Sequence, residues 1–309
     1  VENRGHTCGG VAQHHGPGEV GAEQRRPDVA HPVQGRARIL KPLLDLPHLE
    51  AELLLCHIVG KPRTWLVAWP EKRLTDRELA GFMELVEQRE QGAPVAYLTG
   101  EREFWSLSLN VTEDTLIPRP ETELLVETVL ERFADRPKLT LVDMGTGSGA
   151  IALAIAKERP AWRVIATDIS AAALAVAKTN AQQHGITNVS FLQGDWYDAL
   201  PTETHVDVIV SNPPYVAEKD PHLEQGDVRF EPRHALASGN DGLDDIRKLL
   251  PGAIVHLGDG GSILVEHGNT QGAAVRDLMR HFGYREIRTL RDLEGHERVT
   301  LGIYRAMPI

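Results

Sequence analysis

The stretch Ser211-Asn212-Pro213-Pro214-Tyr215 follows directly on the apolar run HVDVIV at 205–210. Such a run reads as a buried strand, so an amide, two prolines and a tyrosine stand where that strand should surface. Hydride transfer needs a proton donor or acceptor beside the substrate, and these residues supply none of the usual acids. They supply acceptors and a flat ring. A planar amide or aromatic amine has a delocalised, weakly nucleophilic lone pair, so methylating it requires that both N–H hydrogens be accepted and the nitrogen aimed. The Asn212 side-chain oxygen and the Pro213 carbonyl can accept them, Pro213 and Pro214 stiffen the turn, and Tyr215 can stack on the planar group. The bland alternative is a proline-rich loop that merely stiffens a strand exit.

Three further strand ends carry polar or glycine signals. In VDMGTGSGA, Asp143 closes a strand, and Gly145, Thr146, Gly147, Ser148 and Gly149 form a tight turn into a helix. Gly145-x-Gly147-x-x-Ala150 suits both a dinucleotide fingerprint and the glycine loop of S-adenosylmethionine enzymes. Asp168 closes the next strand about twenty residues on, where a carboxylate accepts from a ribose diol carried by either ligand. Ser170 reads as the N-cap of the following helix. In LQGDWYD, Asp195 and Trp196 are placed to flank an adenine, on the expectation that their strand neighbours the glycine loop; an exposed turn aspartate is the alternative.

The elements around these residues alternate. LTLVDM, WRVIATD, VSFLQGD, VDVIVSN and GSILVEH read as strands, separated by amphipathic or apolar helices, with closing strands near REIRTL and RVTLGIY. Apolar strands between helices signal a mainly parallel sheet covered on both faces, a doubly wound α/β domain over 119–309. Ligands bind at the carboxyl ends of such strands. Before it, residues 36–94 show helical spacing and the capping box Thr75-x-x-Glu78. They predict a small helical domain with Leu53, Leu54, Leu55, Phe82, Leu85 and Val86 as core. Residues 95–118 read as a β-hairpin linker, and Pro118 and Pro120 hold the chain extended before a helix beginning near Glu121. Residues 1–35, rich in Gly, Pro and His without periodicity, read as a solvated tail. His6, His14, His15 and His31 match no ligand spacing, so no metal is expected.

Composition narrows the partners. In 309 residues the formal charge is -11, which argues against a large phosphate-gripping surface and hence against nucleic acid. The two cysteines, Cys8 and Cys56, form no CxxC pair, which fits a reducing compartment, with cytoplasm the expectation. No stretch approaches eighteen apolar residues and no secretory signal is evident, so no membrane partner is expected.

Taken together, IPRPETE, VDMGTGSGAIAL, TDIS, GDW, SNPPYV, FEPRHAL and VEHGNTQ resemble the PrmC/HemK family over roughly residues 45–305. The resemblance implies a class I S-adenosylmethionine-dependent methyltransferase of Rossmann-like fold. It would methylate the N(5) amide of a glutamine, that of the GGQ motif, in class-I peptide chain release factors, and so modulate translation termination. It also implies that Gly145 to Gly149, Asp168 and Trp196 hold the cofactor, and that Asn212 to Tyr215 hold the glutamine amide. The helical domain would grip the release factor. The Arg119-Pro-Glu-Thr122 segment would close over the pocket and Phe104 would line it. Glu231 and Arg233 are expected to pin the loop after SNPPY through a salt bridge. The family usually begins with an amphipathic helix where this chain has its glycine- and histidine-rich segment. NPPY alone is shared with adenine and cytosine amino-methyltransferases, which stand as the alternative. A noncatalytic nucleotide-binding module is a further one, although it would not need SNPPY.

Overall fold

The computed structural model describes residues 46–306, so the segment expected as a tail, 1–35, lies outside the described residues. The chain starts with α1 (His48–Val59), α2 (Arg63–Ala68) and α3 (Asp76–Glu90). The capping box forms: Thr75 N donates to Glu78 Oε2 at 2.7 Å and Glu78 N to Thr75 Oγ1 at 3.2 Å. Leu54, Leu55, Phe82 and Val86 are buried, and Leu85 is partly buried against them. Leu53 corrects the expectation, because α1 turns it outward and leaves it 38 % exposed.

Residues 95–99 also depart from expectation. They form a short helix, α4 (Val95–Thr99), and only then comes the hairpin β1 (Glu101–Phe104) and β2 (Leu107–Asn110). Its turn sets both Trp105 (φ 50°) and Ser106 (φ 56°) in the left-handed region, the twist that a two-residue hairpin turn requires. Glu123 accepts from Trp105 N at 2.8 Å and Glu158 from Trp105 Nε1 at 3.1 Å, which offsets the strain. Pro120 opens a 3-10 turn (Pro120–Thr122) that leads into α5 (Glu123–Arg132).

The second half alternates as expected: β3 (Thr140–Met144), α6 (Ala150–Glu158), β4 (Arg163–Asp168), α7 (Ala171–Gln183), β5 (Val189–Gln193), β6 (Val206–Ser211), α8 (Asp244–His256), β7 (Leu257–Glu266), α9 (Gly272–His281), β8 (Arg285–Arg291) and β9 (Glu297–Ile303). These strands form one seven-stranded sheet in the order β5-β4-β3-β6-β7-β9-β8. The first five are parallel, and β9 and β8 add antiparallel pairs. Ser170 caps α7, accepting from Ala173 N at 3.1 Å. Apolar residues cover both sheet faces: Leu141, Val164, Val208 and Leu264 pack on one side, Val142, Ile165, Ile209 and Ile263 on the other. That two-sided burial is why these strands read as continuous apolar runs instead of alternating ones.

Successive strands run outward from β3 to β5 and then return to β6, so β3 and β6 lie side by side where the order reverses. Clefts open at the carboxyl edge of such a pair. Asn180 of α7, fully buried, ties the hairpin to this edge. Its Oδ1 accepts from Asn110 N at 2.7 Å, and its Nδ2 donates to Asn110 O at 3.0 Å and to Ser148 O at 2.8 Å. Replacing it strands those groups away from water, so Asn180→Ala is expected to lower stability by about 2 kcal/mol. Urea unfolding checks this, and a loss below about 0.5 kcal/mol would contradict the assignment.

Candidate active site

Met144 and Ser211 end β3 and β6 in register, and Ser211 Oγ donates to Met144 O at 2.7 Å. The glycine loop leaves one strand and the SNPPY turn leaves the other, so two segments far apart in sequence share a rim. Gly145 leaves β3 at φ 74°, a conformation that favours glycine, and the Trp196 ring lies over it. Gly149 serves packing instead. A Cβ there would stand 3.0 Å from Leu153 Cδ1 and 3.2 Å from Ala177 Cβ.

A cavity of about 270 Å³ opens on this rim, lined by Gly145, Gly147, Asp168, Asp195, Trp196, Asn212 and Pro214, among others. Thr146, Ser148 and Gly149 do not line it. Thr146 Oγ1 instead donates to Asp143 Oδ2 at 2.6 Å, and Ser148 is buried. Asp168 is held by two backbone donors, Gly147 N and Ser170 N, each at 2.9 Å, which leaves further lone pairs for a ligand. β5 pairs with β4 and not with β3, which corrects the expected neighbour relation. The turn after β5 brings Trp196 back over the glycine loop. Trp196 does so at φ 47°, a strained setting for an aromatic residue, with Nε1 donating to Asp245 Oδ1 at 3.3 Å.

Two features separate the ligands that the glycine pattern leaves open. Several of the loop's donors are already spent: Gly145 N and Thr146 N donate to Thr167 O at 2.9 and 2.8 Å, Gly147 N to Asp168, and Gly149 N to Thr146 O at 2.9 Å. A pyrophosphate would need such donors free. The lining is also acidic, with Asp114, Asp168, Asp195 and Asp245 against Lys248, which is itself paired to Asp245 at 3.0 Å. A cationic sulfonium suits that lining better than a dianion.

A second cavity of about 200 Å³ adjoins the first, lined by Arg119, Asn212, Pro213, Tyr215 and the apolar residues Val216, Leu223 and Val228. Asn212 lines both chambers. Its Nδ2 donates to Thr122 Oγ1 at 3.1 Å, while its buried Oδ1 has no hydrogen-bond partner. An unpaired buried acceptor is costly unless a ligand completes it. Tyr215 borders the second chamber and donates to Glu266 Oε1 at 3.3 Å; burial, then the Glu266 charge, pushes its phenol well above the ordinary tyrosine value.

The loop after SNPPY folds back over both chambers. Val216 pairs with Ala237, and Ala235 then lines both cavities. Glu231 and Arg233 pin it through different partners. Glu231 is buried, accepts from Ile117 N at 3.0 Å and pairs with Arg119, whereas Arg233 reaches Glu224 at 2.9 Å on the surface. Phe104 lines neither cavity. It ends β1 on the inward side, 2 % exposed, and packs in the core with Leu107, Leu109 and Leu125. Sequence reasoning missed Glu266 and Asp245 as site neighbours, and named Thr122 only as part of the segment expected to close over the pocket, not as a partner of Asn212. Their types are ordinary for a helix start, a strand end and a helix, and nothing local marks them.

Known proteins carry the same pattern. Residues 34–100 match the PrmC N-terminal domain and residues 120–230 the methyltransferase small domain. A release factor glutamine methyltransferase of Vibrio cholerae is 49 % identical, covering 84 % of this chain and 91 % of that protein. One of Xylella fastidiosa is 52 % identical over 83 % of this chain and 93 % of its own. Among solved structures, a methyltransferase from Pyrococcus furiosus aligns with a TM-score of 0.50 at 21 % identity, over 65 % of this chain and 90 % of that one, and shows the shared fold.

Asp143 allows a pH test of the rim. Burial pushes its carboxyl up to about 7, against the Thr146 and Ala152 hydrogen bonds that lower it, and its Oδ1 has no partner. A carboxyl raised on folding contributes stability at low pH that is lost as pH climbs through the folded value. The stability of Asp143→Asn relative to the parent is therefore expected to rise between about pH 4 and about pH 7 in urea titrations and to level off above that. A flat difference would mean that Asp143 stays ionised throughout.

Proposed function

The chain belongs to the release factor glutamine methyltransferase family, from which we infer that it methylates a glutamine side-chain amide of a release factor with S-adenosylmethionine as donor. The finer substrate is the N(5) amide of the GGQ glutamine in class-I release factors. Among the described residues no helix is long and apolar enough to cross a membrane.

The residues of the larger chamber suit the cofactor: Asp168 toward a ribose diol, Asp195 and Trp196 toward an adenine, and Gly145 and Gly147 where a side chain would intrude. When bound, S-adenosylmethionine supplies a methyl carbon activated by a sulfonium. The chain's own contribution is orientation. Asn212 Oδ1 and the Pro213 carbonyl accept the two amide N–H groups of the glutamine, and Tyr215 flanks its plane from the smaller chamber. Arg119, tied to Glu231, borders that chamber. Rate then comes from alignment and from acceptors that tolerate positive charge growing on nitrogen, with no strong base required.

One observation carries this reading: Asn212, whose buried Oδ1 has no hydrogen-bond partner, lines both chambers. Losing one preorganised polar contact to a developing charge costs roughly a hundredfold in rate. Asn212→Ala is accordingly expected to keep cofactor affinity in calorimetric titration and to lose about a hundredfold in methyl transfer. Labelled S-adenosylmethionine should mark a release factor and leave DNA unmarked. Label on DNA instead would favour the nucleic-acid amino-methyltransferase reading, and lost cofactor binding in folded Asn212→Ala would break the division of labour.

A further inference from the structure

Part of the smaller chamber's wall comes from outside the sheet. Val228 lines that chamber from a 3-10 turn, Gly226–Phe230, in the loop after SNPPY. Both of its neighbours in sequence are held by the helical region. Asp227 Oδ1 accepts from Arg89 Nη1 at 2.7 Å, and Arg229 Nη2 donates to Gln91 O at 3.0 Å.

Arg89 is set for this from its own side. It lies in the last turn of α3, and its Nε and Nη2 donate to the two carboxylate oxygens of Glu50 in α1, at 2.6 and 3.1 Å. Nη1 also donates to Ala93 O at 3.2 Å. A planar guanidinium gripped at two nitrogens has its remaining N–H directions fixed, so α1 and α3 together aim Nη1 at Asp227. The Arg89 side chain is only 17 % exposed, which leaves the pair less screened than one in open solvent. The turn after α3 makes room for the second tie. Gly92 sits at φ 102°, and a Cβ there would stand 2.0 Å from Arg229 Nη2.

Helices that served only to dock a partner would have no need to hold this wall. We propose that Arg89 is a positioning residue for methyl transfer: by fixing Asp227 it sets Val228 against the smaller chamber, so the helical region shapes the substrate site without touching the substrate. This rests on the reading that the smaller chamber takes the glutamine side chain. An apolar wall held in one place confines the stem of that side chain, and so keeps the amide aligned with the methyl carbon.

The test uses the full chain with S-adenosylmethionine and a release factor. Asp227→Ala cuts the tie on the loop, at a side chain that is 41 % exposed, and Arg89→Met cuts it on the helices while keeping an apolar stem. Each is expected to lower kcat at saturating release factor about tenfold and to leave cofactor affinity within about twofold. Because both remove the same contact, the double variant should lose no more than Arg89→Met alone.

A parental kcat with only KM raised would mean that the tie serves docking of the release factor, and overturns the proposal. Losses that multiply in the double variant would mean that the two residues act separately, and overturn it as well. Should Arg89→Met fail to fold, kcat of Asp227→Ala decides alone. Val228→Trp, which fills the chamber, separates the two levels. If it transfers at the parental rate, the reading of the smaller chamber fails; if it blocks transfer while Asp227→Ala keeps the parental kcat, only the part given to Arg89 fails.

Discussion

The site depends on β3 and β6 lying parallel and adjacent. Parallel neighbours point their carboxyl ends the same way, and here the strand order reverses between them. The glycine loop and the SNPPY turn therefore open onto one rim although some sixty residues separate them. The Ser211 Oγ to Met144 O bond, at 2.7 Å, locks the two ends at the same height. A slip of one residue in this pairing would turn Asn212 to the opposite face.

From that pairing follows a division into two chambers that meet at Asn212. The larger is acidic and several of its loop donors are already satisfied, which suits a cation with a nucleoside better than a phosphate. The smaller is mostly apolar, which suits the stem of an uncharged side chain. Asn212 stands at the junction with an acceptor that nothing in the protein satisfies. Its neutral amide can meet an N–H group without adding charge beside a sulfonium.

The acidic balance of the chain and its local charges act at different scales. The overall charge of -11 disfavours a nucleic-acid surface. The contacts that shape the site are short-range pairs, such as Arg119 with Glu231 and Lys248 with Asp245. Arg89 of α3 joins the helical region to the loop after SNPPY, reaching Glu50 at 2.6 Å and Asp227 at 2.7 Å. The loop that covers the chambers is thus held from two sides, by the segment at 119 and by the helices.

The sequence alone determined what depends on neighbours along the chain. Apolar runs between helical patterns specify a covered parallel sheet, positive-φ turns call for glycine, and the Thr75 and Ser170 caps act within a single turn, so all were legible. SNPPY was legible for the same reason, since its stiffness and acceptors are local. Tertiary structure decided whatever a residue meets across space. Phe104 looked like a pocket lining until the pleat of β1 turned it into the core, and Leu53 looked like core until α1 rotated it to the surface. Thr122 and Glu266 reach Asn212 and Tyr215 from 90 and 51 positions away. A hydrogen bond depends on distance in space, which the chain path sets and residue spacing does not record.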